Sequence, residues 1–424
     1  MSDSGEIRSL VVMCRRLDRA HGGAALRNLQ NVRALARLGP VDVISVGPSD
    51  PPSPVEGVDH YEHIARQASV PGLQRLWSKR WLVSPTAHPM VSALYQESVV
   101  AAIRRRFQSD SYDVAVVEEL GLARYLEDLN RGGCVTIFDA HNLESSLSGD
   151  MAASQRAGLA ARWKRSLMDR RLAAAERYFA QAADRVWACS TLDQQGFAGL
   201  MGNATPVDVI PNAIDVPAYE QADRRHEAED WRDEPMLLTY LGAYSYYPNE
   251  EAALELIQVV LPLLRDRGIP ARLQLIGANP TPAMKAAAKG LDDVEITGAV
   301  DSVMPYLKQR CLIVLPLRLG GGTRLKILEA FAASRPVIST AKGAEGIEAV
   351  DGTHLLIRES AADLAEAAAT LWTDRETRAR LCRNALQLVT DRYSLESTAG
   401  LIRNSVLDTL ESISPQSHRI QRHV

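Results

Sequence analysis

The sequence predicts two α/β domains, each built on a doubly wound parallel sheet, facing each other across a cleft. Short apolar runs alternate with helical patterns in both halves of the chain, which is typical of parallel strands covered by helices on both faces. Residues 216–235 are charged and poor in aliphatic side chains, which indicates a linker. We therefore expect an N-terminal domain at 1–215 and a second domain at 236–394.

The first half has six apolar runs of strand length, at 7–13, 41–46, 114–117, 135–138, 186–190 and 207–210. A loop with two adjacent glycines, Gly22 and Gly23, follows the first run and leads into a helical pattern at 25–38. A longer helical pattern covers 152–183. Doubly wound sheets bind ligands at the carboxyl ends of their strands, so functional side chains are expected directly after these runs.

The second half alternates more regularly. Strands are predicted at 236–241, 272–276, 294–296, 312–317, 336–340 and 354–357. Helices are predicted at 249–267, 281–289, 302–308 and 324–333, with further helical patterns as far as Leu410. The tail after Ile413 is expected to fray.

Composition narrows the class of protein. The 424 residues are 46% hydrophobic and 24% charged, which is ordinary for a soluble globular protein. The 48 basic and 52 acidic residues give a net charge of −4, which argues against a nucleic-acid-binding protein. No apolar run is long enough to span a bilayer, and the N-terminus does not resemble a signal peptide. The five widely spaced cysteines indicate reduced thiols, so we expect a cytoplasmic protein.

The strongest local feature is the segment 315–340, where a buried strand leads through Gly320, Gly321 and Gly322 into a helix. Glycines let a backbone approach a bulky anion, and a helix N-terminus attracts negative charge. Thr323 is the expected N-cap of this helix. The pattern predicts a diphosphate-binding loop, although a simple tight turn is the alternative.

Charged side chains accompany this loop. Arg318 and Arg324 flank it, and Lys326 lies in the first helical turn. Glu329 is three residues beyond Lys326, so both lie on one helix face, where the carboxylate could accept hydrogen bonds from ribose hydroxyls. The segment contains neither a Walker motif nor a G-x-G-x-x-G motif.

Three candidates remain open in the first half. Glu118 and Glu119 end a strand and could form an acid/base pair, bind near an acceptor, or be solvated. His141 follows another strand and is either a functional group or a hydrogen-bonded core histidine. His60 and His63 have helical spacing, but two histidines do not make a metal site, and a surface loop is the favoured interpretation.

Two basic stretches, 73–83 and 161–178, interleave arginine and lysine with aromatic side chains. They could contact anionic lipid headgroups, which would place the protein peripherally at the inner membrane face. The favoured alternative is a helix that packs its apolar face on the core and exposes its basic face.

Seven sequence blocks, spread along nearly the whole chain, resemble the family 4 glycosyltransferases. They are HGGAALRNL at 21–29, FDAHNLESSL at 138–147, WACSTLD at 187–193, VIPNAID at 209–215, YLGAYSYYPNEEA at 240–252, ITGAVDSV at 296–303 and PLRLGGGTRLKILEA at 316–330. The VIPNAID block could equally be a structural turn. The resemblance implies a GT-B architecture, in which two Rossmann-like domains face a central cleft and the last helix, from about residue 395 to 424, returns to the first domain.

The resemblance also implies roles for individual residues. His141, Arg318 and Lys326 would be the catalytic residues, with His141 facing the donor sugar and the two cations on its diphosphate. The remaining donor-binding residues would be Gly22, Gly23, Gly242, Val300, Gly320, Gly321, Gly322, Thr323 and Glu329. Among these, Val300 would lie beside the nucleobase and Glu329 would bind the ribose.

The chain departs from the family pattern at two places. The family's E-x7-E motif ends at Glu329, but its first glutamate is replaced by Gly321. The usual arginine and lysine after the first strand of the second domain are also missing, and Tyr246 and Tyr247 lie in that stretch. Arg318 and Lys326 would then supply the positive charge.

The function implied is transfer of a sugar from a nucleotide diphosphate sugar to an acceptor hydroxyl, with retention of configuration. Because no D-x-D motif occurs, no metal or other cofactor is expected. The partners implied are the nucleotide-sugar donor and an acceptor that the sequence does not identify. A sugar-nucleotide epimerase or hydrolase of the same fold, and a non-catalytic sugar-nucleotide-binding protein, are the alternatives.

Overall fold

A computed structural model describes residues 5–14, 17, 22–48, 55–66, 84–147, 159–202, 204–219, 231–322 and 324–413. The chain forms two compact units. The first consists of Met1–Asn212 together with Thr398–Val424, and the second is Ala213–Ser397. Each unit contains one parallel sheet, so the predicted α/β fold with two doubly wound sheets is confirmed.

The sheet of the first unit has seven parallel strands in the order β3-β2-β1-β4-β5-β6-β7. They are β1 Ser9–Met13, β2 Val41–Gly47, β3 His60–Ala65, β4 Val114–Glu118, β5 Val135–Ala140, β6 Arg185–Ala188 and β7 Val207–Val209. The order reverses direction at β1 and β4, which are hydrogen-bonded neighbours. Such a switch point is where an open α/β sheet binds its ligand.

Helices cover both faces of this sheet. They are α1 Gly23–Ala36, α2 Pro89–Ser92, α3 Glu97–Ser109, α4 Leu126–Leu129, α5 Leu159–Ala182 and α6 Thr191–Met201. Alternate residues of β1 explain why two layers are needed. Leu10 and Val12 face one apolar core, whereas Val11 and Met13 face the other.

The sheet of the second unit has six parallel strands in the order β10-β9-β8-β11-β12-β13. They are β8 Met236–Leu241, β9 Ala271–Ile276, β10 Val294–Gly298, β11 Leu312–Leu315, β12 Val337–Ser339 and β13 Leu356–Ile357. Its helices are α7 Tyr247–Glu255, α8 Leu261–Asp266, α9 Pro282–Ala287, α10 Met304–Leu307, α11 Leu325–Ala332, α12 Ala361–Thr373 and α13 Arg375–Tyr393.

The last helix, α14 Leu395–Ser412, begins in the second unit and continues into the first. Ile402 and Val406 are buried in the same apolar core as Val11. Ser405 accepts a hydrogen bond from the Trp187 indole at 2.8 Å, which ties the helix to β6. This docking places residues more than 200 positions apart in one core.

Two segments differ from their sequence-based interpretation. Residues 60–65 form strand β3, not a surface loop, because their backbone pairs in register with β2. His60 and His63 therefore lie on opposite faces of a strand, and the His63 Nδ1 lies 2.6 Å from the Ser45 hydroxyl. Parts of the expected linker also belong to the second unit, since Val216 and Trp231 are buried in its core.

Candidate active site

The first candidate site begins at helix α1, whose polar face is turned into the protein. Gly22 is the N-cap with φ of 85°, and Gly23 is the first helical residue. Arg27 and Asn31 follow, and each is at most 1% exposed. Polar side chains are rarely buried unless they are hydrogen-bonded, so this face indicates a specific partner.

That partner is Asp139 at the end of β5. The Arg27 Nε lies 2.8 Å from one carboxylate oxygen of Asp139, and its Nη2 lies 2.5 Å from the other. Asn31 donates to Asp139 at 2.8 Å and to Glu118 at 3.1 Å. A bidentate arginine–carboxylate pair is the strongest arrangement for a buried ion pair. The first helix and the ends of β4 and β5 are thereby locked together.

His141 completes this group. Its Nε2 lies 3.0 Å from Glu118 Oε2 and 3.3 Å from Asp139 Oδ2. The side chain is 10% exposed, and the buried Nδ1 has no hydrogen-bond partner among the described residues. Burial disfavours the imidazolium, but hydrogen bonds to Asp139 and Glu118 raise the pKa of His141 to about 9. The histidine is therefore positively charged at neutral pH.

The two carboxylates of this group differ in protonation. Burial and then the neighbouring Asp139 charge raise the pKa of Glu118 to about 8. Burial also acts on Asp139, but Arg27 and His141 hold the pKa of that carboxyl well below its usual range. Burial therefore favours the protonated form of Glu118 more than that of Asp139, and Glu118 is not solvated, because it is 0% exposed.

Glu118, Asp139 and His141 also form the one group of potential metal ligands found within the described ranges, with ligand atoms all within 4.8 Å of one another. A divalent ion would have to displace Arg27 and Asn31 from these oxygens and remove the proton from His141. We therefore interpret the group as a hydrogen-bonded charge network.

Glu119 lies beside this network in a strained backbone conformation, with φ of 70° and ψ of 148°. Residues other than glycine rarely adopt this backbone conformation, and such strain is concentrated at functional sites. The Glu119 carboxylate lies 3.7 Å from the His141 Nδ1. The strain therefore turns a second carboxylate toward the open nitrogen of the histidine.

The VIPNAID block at 209–215 accepts further hydrogen bonds from helix α1. Arg27 Nη1 donates to the Ile210 carbonyl at 2.7 Å and to the Asn212 side chain at 3.1 Å. Gln30 donates to the Pro211 carbonyl at 3.1 Å. Three separate blocks of the sequence, at 21–29, 138–147 and 209–215, therefore meet in one network.

The second candidate site is the glycine loop between β11 and α11. Gly320 and Gly322 have φ of 98° and 78°, which is the left-handed region. A Cβ on Gly320 would also overlap the Tyr246 hydroxyl. Arg324 donates to the carbonyls of Gly320 and Gly321 at 2.8 and 2.7 Å. The guanidinium turns these carbonyls toward itself and fixes the shape of the loop.

Lys326 lies in the first turn of α11 and is partly buried. Its Nζ donates to Asn249 Oδ1 at 2.9 Å and to the Tyr240 hydroxyl at 3.1 Å. Burial and then the nearby Arg324 lower the pKa of Lys326 to about 7. The site therefore holds an amine at a helix N-terminus, where an anion would bind favourably.

Glu329 lies one turn beyond Lys326 on the same helix. Its Oε1 accepts a hydrogen bond from the Tyr219 hydroxyl at 3.1 Å. Burial raises the pKa of Glu329, although Tyr219 and Lys326 oppose the shift. Lys326 and Glu329 therefore lie one turn apart on the same face of α11.

Two family profiles match the chain. The one described as "Glycosyl transferase 4-like domain" covers residues 22–213, and the one described as "Glycosyl transferases group 1" covers residues 235–374. Together they span most of the chain and contain both candidate sites.

The chain belongs to the group 1 glycosyltransferases.

Solved structures of other proteins share the fold of this glycosyltransferase. Sucrose-phosphate synthase from Thermosynechococcus elongatus is 18% identical with a TM-score of 0.65, over 96% of this chain and 100% of that one. Anabaena HepE in complex with UDP-glucose is 13% identical with a TM-score of 0.61, over 95% and 100%. Trehalose 6-phosphate synthase from Burkholderia multivorans is 13% identical with a TM-score of 0.62, over 99% of both chains. No curated protein sequence matches the glycosyltransferase significantly.

The other predicted donor residues of the glycosyltransferase take various positions. Gly242 follows β8 and packs so closely on Asn249 that a Cβ would lie 2.9 Å from the amide carbon. Val300 follows β10 and is partly buried against the apolar core of the second unit. Thr323, the expected N-cap, lies outside the described residues, and Arg324 is the residue that precedes the first helical turn.

Arg318 is 40% exposed and already paired. Its guanidinium lies 2.6 Å from Glu255 and donates to the Glu359 carbonyl at 2.8 Å. A diphosphate would have to compete with Glu255 for this arginine. Sequence reasoning did not identify Arg27, Asn31 and Asn249. The spacing of four between Arg27 and Asn31 is the one signal that could have placed them on a common helix face.

A cavity of about 670 Å³ lies at the opposite edge of the second sheet, where its strands begin. Leu237, Arg272 and Val294 line it, together with Asp292 and Asp293. Ligands of doubly wound sheets bind at the carboxyl ends of the strands, so this cavity is not the expected donor site.

Of the two basic stretches, 73–83 lies outside the described residues. The other falls within α5, which buries Leu172, Ala175 and Phe179 in the apolar core that contains Leu10 and Val12. Trp163, near the start of this helix, is 71% exposed. In the described parts of the chain, none of the helices has the length and apolarity that crossing a bilayer requires.

Proposed function

We propose that this glycosyltransferase moves a hexosyl unit from a nucleoside diphosphate sugar to an acceptor hydroxyl, with retention of configuration and without a metal ion. The observation that carries the proposal is the position of Lys326 and Glu329 one turn apart, at the start of a helix that follows a glycine loop. Anabaena HepE, which has the same fold, was solved in complex with UDP-glucose.

In the proposed complex, Lys326 and the N-terminus of α11 contact the diphosphate, and Glu329 accepts hydrogen bonds from the ribose hydroxyls. The main barrier in such a reaction is the charge that develops on the leaving diphosphate. A fixed amine and oriented N–H groups stabilise that charge without reorganising during the reaction. This cationic site takes the place that a divalent ion occupies in metal-dependent enzymes.

The proposed chemistry occurs on one face of the sugar. The acceptor oxygen forms a bond to the anomeric carbon as the bond from that carbon to the diphosphate breaks. The acceptor proton passes to the departing phosphate oxygen, so no separate base is required. In the first unit, His141, whose charge Asp139 favours, would offer its Nδ1–H to a sugar hydroxyl.

A thermal-shift panel of UDP-, GDP-, ADP- and dTDP-sugars tests the donor class. A ligand at about 100 times its dissociation constant should stabilise the protein by about 2.7 kcal/mol. We expect one nucleotide to give this shift, and Lys326→Met to lose it. Lys308→Met is the matched control, because Lys308 is an exposed lysine in the same unit.

Three results would contradict the proposal. If no nucleotide sugar raises the melting temperature, the donor assignment is wrong. If the nucleotide sugar raises the melting temperature of Lys326→Met as much as that of the parent, the location of the site is wrong. An anomeric proton signal that shows the product to have the configuration opposite to the donor's would contradict retention. Activity that is lost in EDTA and restored by magnesium would remove metal independence.

A further inference from the structure

Tyr240 and Asn249 hold the Lys326 side chain from two different elements. Tyr240 is in β8 and Asn249 is in α7, and both are buried. The Tyr240 hydroxyl donates to Asn249 Oδ1 at 2.6 Å, and the lysine Nζ donates to both oxygens. The three polar groups form a closed triangle of hydrogen bonds.

The triangle is fixed from outside. The Asn249 Nδ2 donates to the Ala243 carbonyl at 2.9 Å, so Oδ1 must face Tyr240 and Lys326. The lysine Nζ also lies 4.3 Å from the centre of the Tyr240 ring, within the range of a cation–π contact. The position of the nitrogen is therefore determined by two side chains that are far from it in the sequence.

Both hydrogen-bond partners of the nitrogen are neutral. Burial keeps the pKa of Tyr240 well above its usual value, so its hydroxyl stays protonated. The charged groups that act on Lys326 are Arg324, which opposes its charge, and Glu329, which favours it. Around them, Tyr246 acts on Arg324 and Tyr219 is bonded to Glu329.

We propose that Tyr240 and Asn249 are positioning residues that hold the Lys326 nitrogen for the donor diphosphate, and that donor binding takes up one proton at this nitrogen. The inference rests on the proposed function, because it needs a diphosphate at this site. The proton comes from solvent and converts the amine to an ammonium ion as the diphosphate arrives. The neutral triangle fixes the position of the nitrogen but provides no negative charge to balance an ammonium ion, and the bound diphosphate would provide that charge.

The pKa of Lys326, lowered to about 7, gives the pH range in which this uptake occurs. Above that pH the free site holds mostly amine, and below it mostly ammonium. Because a bound diphosphate raises the pKa again, uptake should approach one proton, about 0.9, at pH 8 and fall to about 0.1 at pH 6. Affinity should weaken as the pH rises through this range.

Calorimetric titration of the full chain with UDP-glucose measures this uptake directly. The observed enthalpy is compared among phosphate, HEPES and Tris buffers, whose ionisation enthalpies differ, at pH 6, 7 and 8. UDP-glucose has no phosphate that titrates in this range, so a proton taken up on binding is bound by the protein and not by the ligand. If the thermal-shift panel shows that the protein binds a nucleotide sugar with another base, that nucleotide sugar replaces UDP-glucose as the probe.

Asn249→Asp is the decisive variant, because it places a carboxylate where the amide oxygen lies 2.9 Å from the nitrogen. The lysine should then be charged before the ligand arrives. We expect proton uptake at pH 8 to disappear and the dissociation constant of UDP-glucose to rise about tenfold or more, since the carboxylate competes with the diphosphate. Asn384→Asp, at a partly buried amide that donates to the Thr353 carbonyl, should change neither quantity.

Tyr240→Phe keeps the ring and removes the hydroxyl, so it tests the inference even if Asn249→Asp fails to fold. It should raise the dissociation constant about tenfold and move the midpoint of proton uptake to lower pH, because the ammonium loses one acceptor. Binding of UDP-glucose with less than about 0.2 proton at pH 8 would overturn the inference and leave the proposed function intact. Equal affinity in Lys326→Met would instead contradict the proposed function itself.

Discussion

Replacing Arg27 by methionine should destabilise the first unit severely. The side chain is 1% exposed, and its guanidinium bonds both oxygens of Asp139 as well as the Ile210 carbonyl. Methionine matches much of its length but provides no donor. Asp139 would then lose its one guanidinium partner, although Asn31 and His141 would still contact its buried negative charge.

The magnitude follows from the geometry. Breaking a buried ion pair by removing one partner costs about 3–5 kcal/mol, because the other charge stays buried without compensation. That cost corresponds to an increase of about 10²–10⁴-fold in the population of opened molecules. Removing the second charge should recover part of it. Arg27→Met with Asp139→Asn should therefore be less destabilised than the sum of the two single variants by about 1 kcal/mol or more.

Native-state hydrogen exchange followed by mass spectrometry is the suitable assay, because a chain with two units has no single unfolding free energy. Peptides from α1 and β5 should exchange faster in Arg27→Met, while those from the second unit should not change. Arg33→Met is the matched control, since Arg33 is an exposed arginine on the same helix. If Arg27→Met and Arg33→Met exchange equally, or if the double variant is fully additive, the charge-network account is incorrect.

Further predictions concern strain, the glycine loop and pH. Glu119→Gly should relieve about 1–3 kcal/mol of backbone strain, offset by about 0.5–1 kcal/mol of added unfolded-chain entropy, so the melting temperature should rise, and a lower value would contradict the strain. Gly320→Ala should cost about 1–3 kcal/mol and weaken donor binding, because the left-handed φ and Tyr246 both oppose a side chain; unchanged calorimetry would exclude this. The two units should respond oppositely to pH. His141, whose pKa is raised from 6.5 to about 9, stabilises the first unit fully below pH 6.5 and loses that effect through pH 9. Lys326, whose pKa is lowered from 10.5 to about 7, costs the second unit most below pH 7 and nothing above pH 10.5. Exchange protection, corrected for intrinsic rates, should therefore fall in one unit and rise in the other between pH 7 and 9, and parallel changes would refute the assignment.

The apolar strands could be predicted because they are buried on both faces and form unbroken hydrophobic runs. Strand β1, with the sequence SLVVM, is fully buried and is of this kind. Strand β3 could not be predicted, because HYEHIA is only partly buried at the edge of the sheet. Its identity as a strand depends on pairing with β2, which is a tertiary effect.

The candidate site was predicted in part for a similar reason. Lys326 and Glu329 lie close together in the sequence, so their common helix face could be predicted from their spacing. Asn249 is 77 residues from Lys326, and Arg27 is 112 residues from Asp139. No local pattern connects such pairs. Arg318 shows the converse, because its position in the loop suggested a phosphate contact but its guanidinium is bound to Glu255, 63 residues away.

The location of donor binding is the central claim, and hydrogen exchange of the full chain with and without its nucleotide sugar tests it most directly. The account predicts that the sugar nucleotide slows exchange in peptides covering 317–332, which contain the glycine loop and α11. The competing location is the cavity at the opposite edge of the same sheet, lined by residues of 234–237, 272–274, 292–295 and 309–310. Protection confined to those peptides, with 317–332 unchanged, would contradict the account.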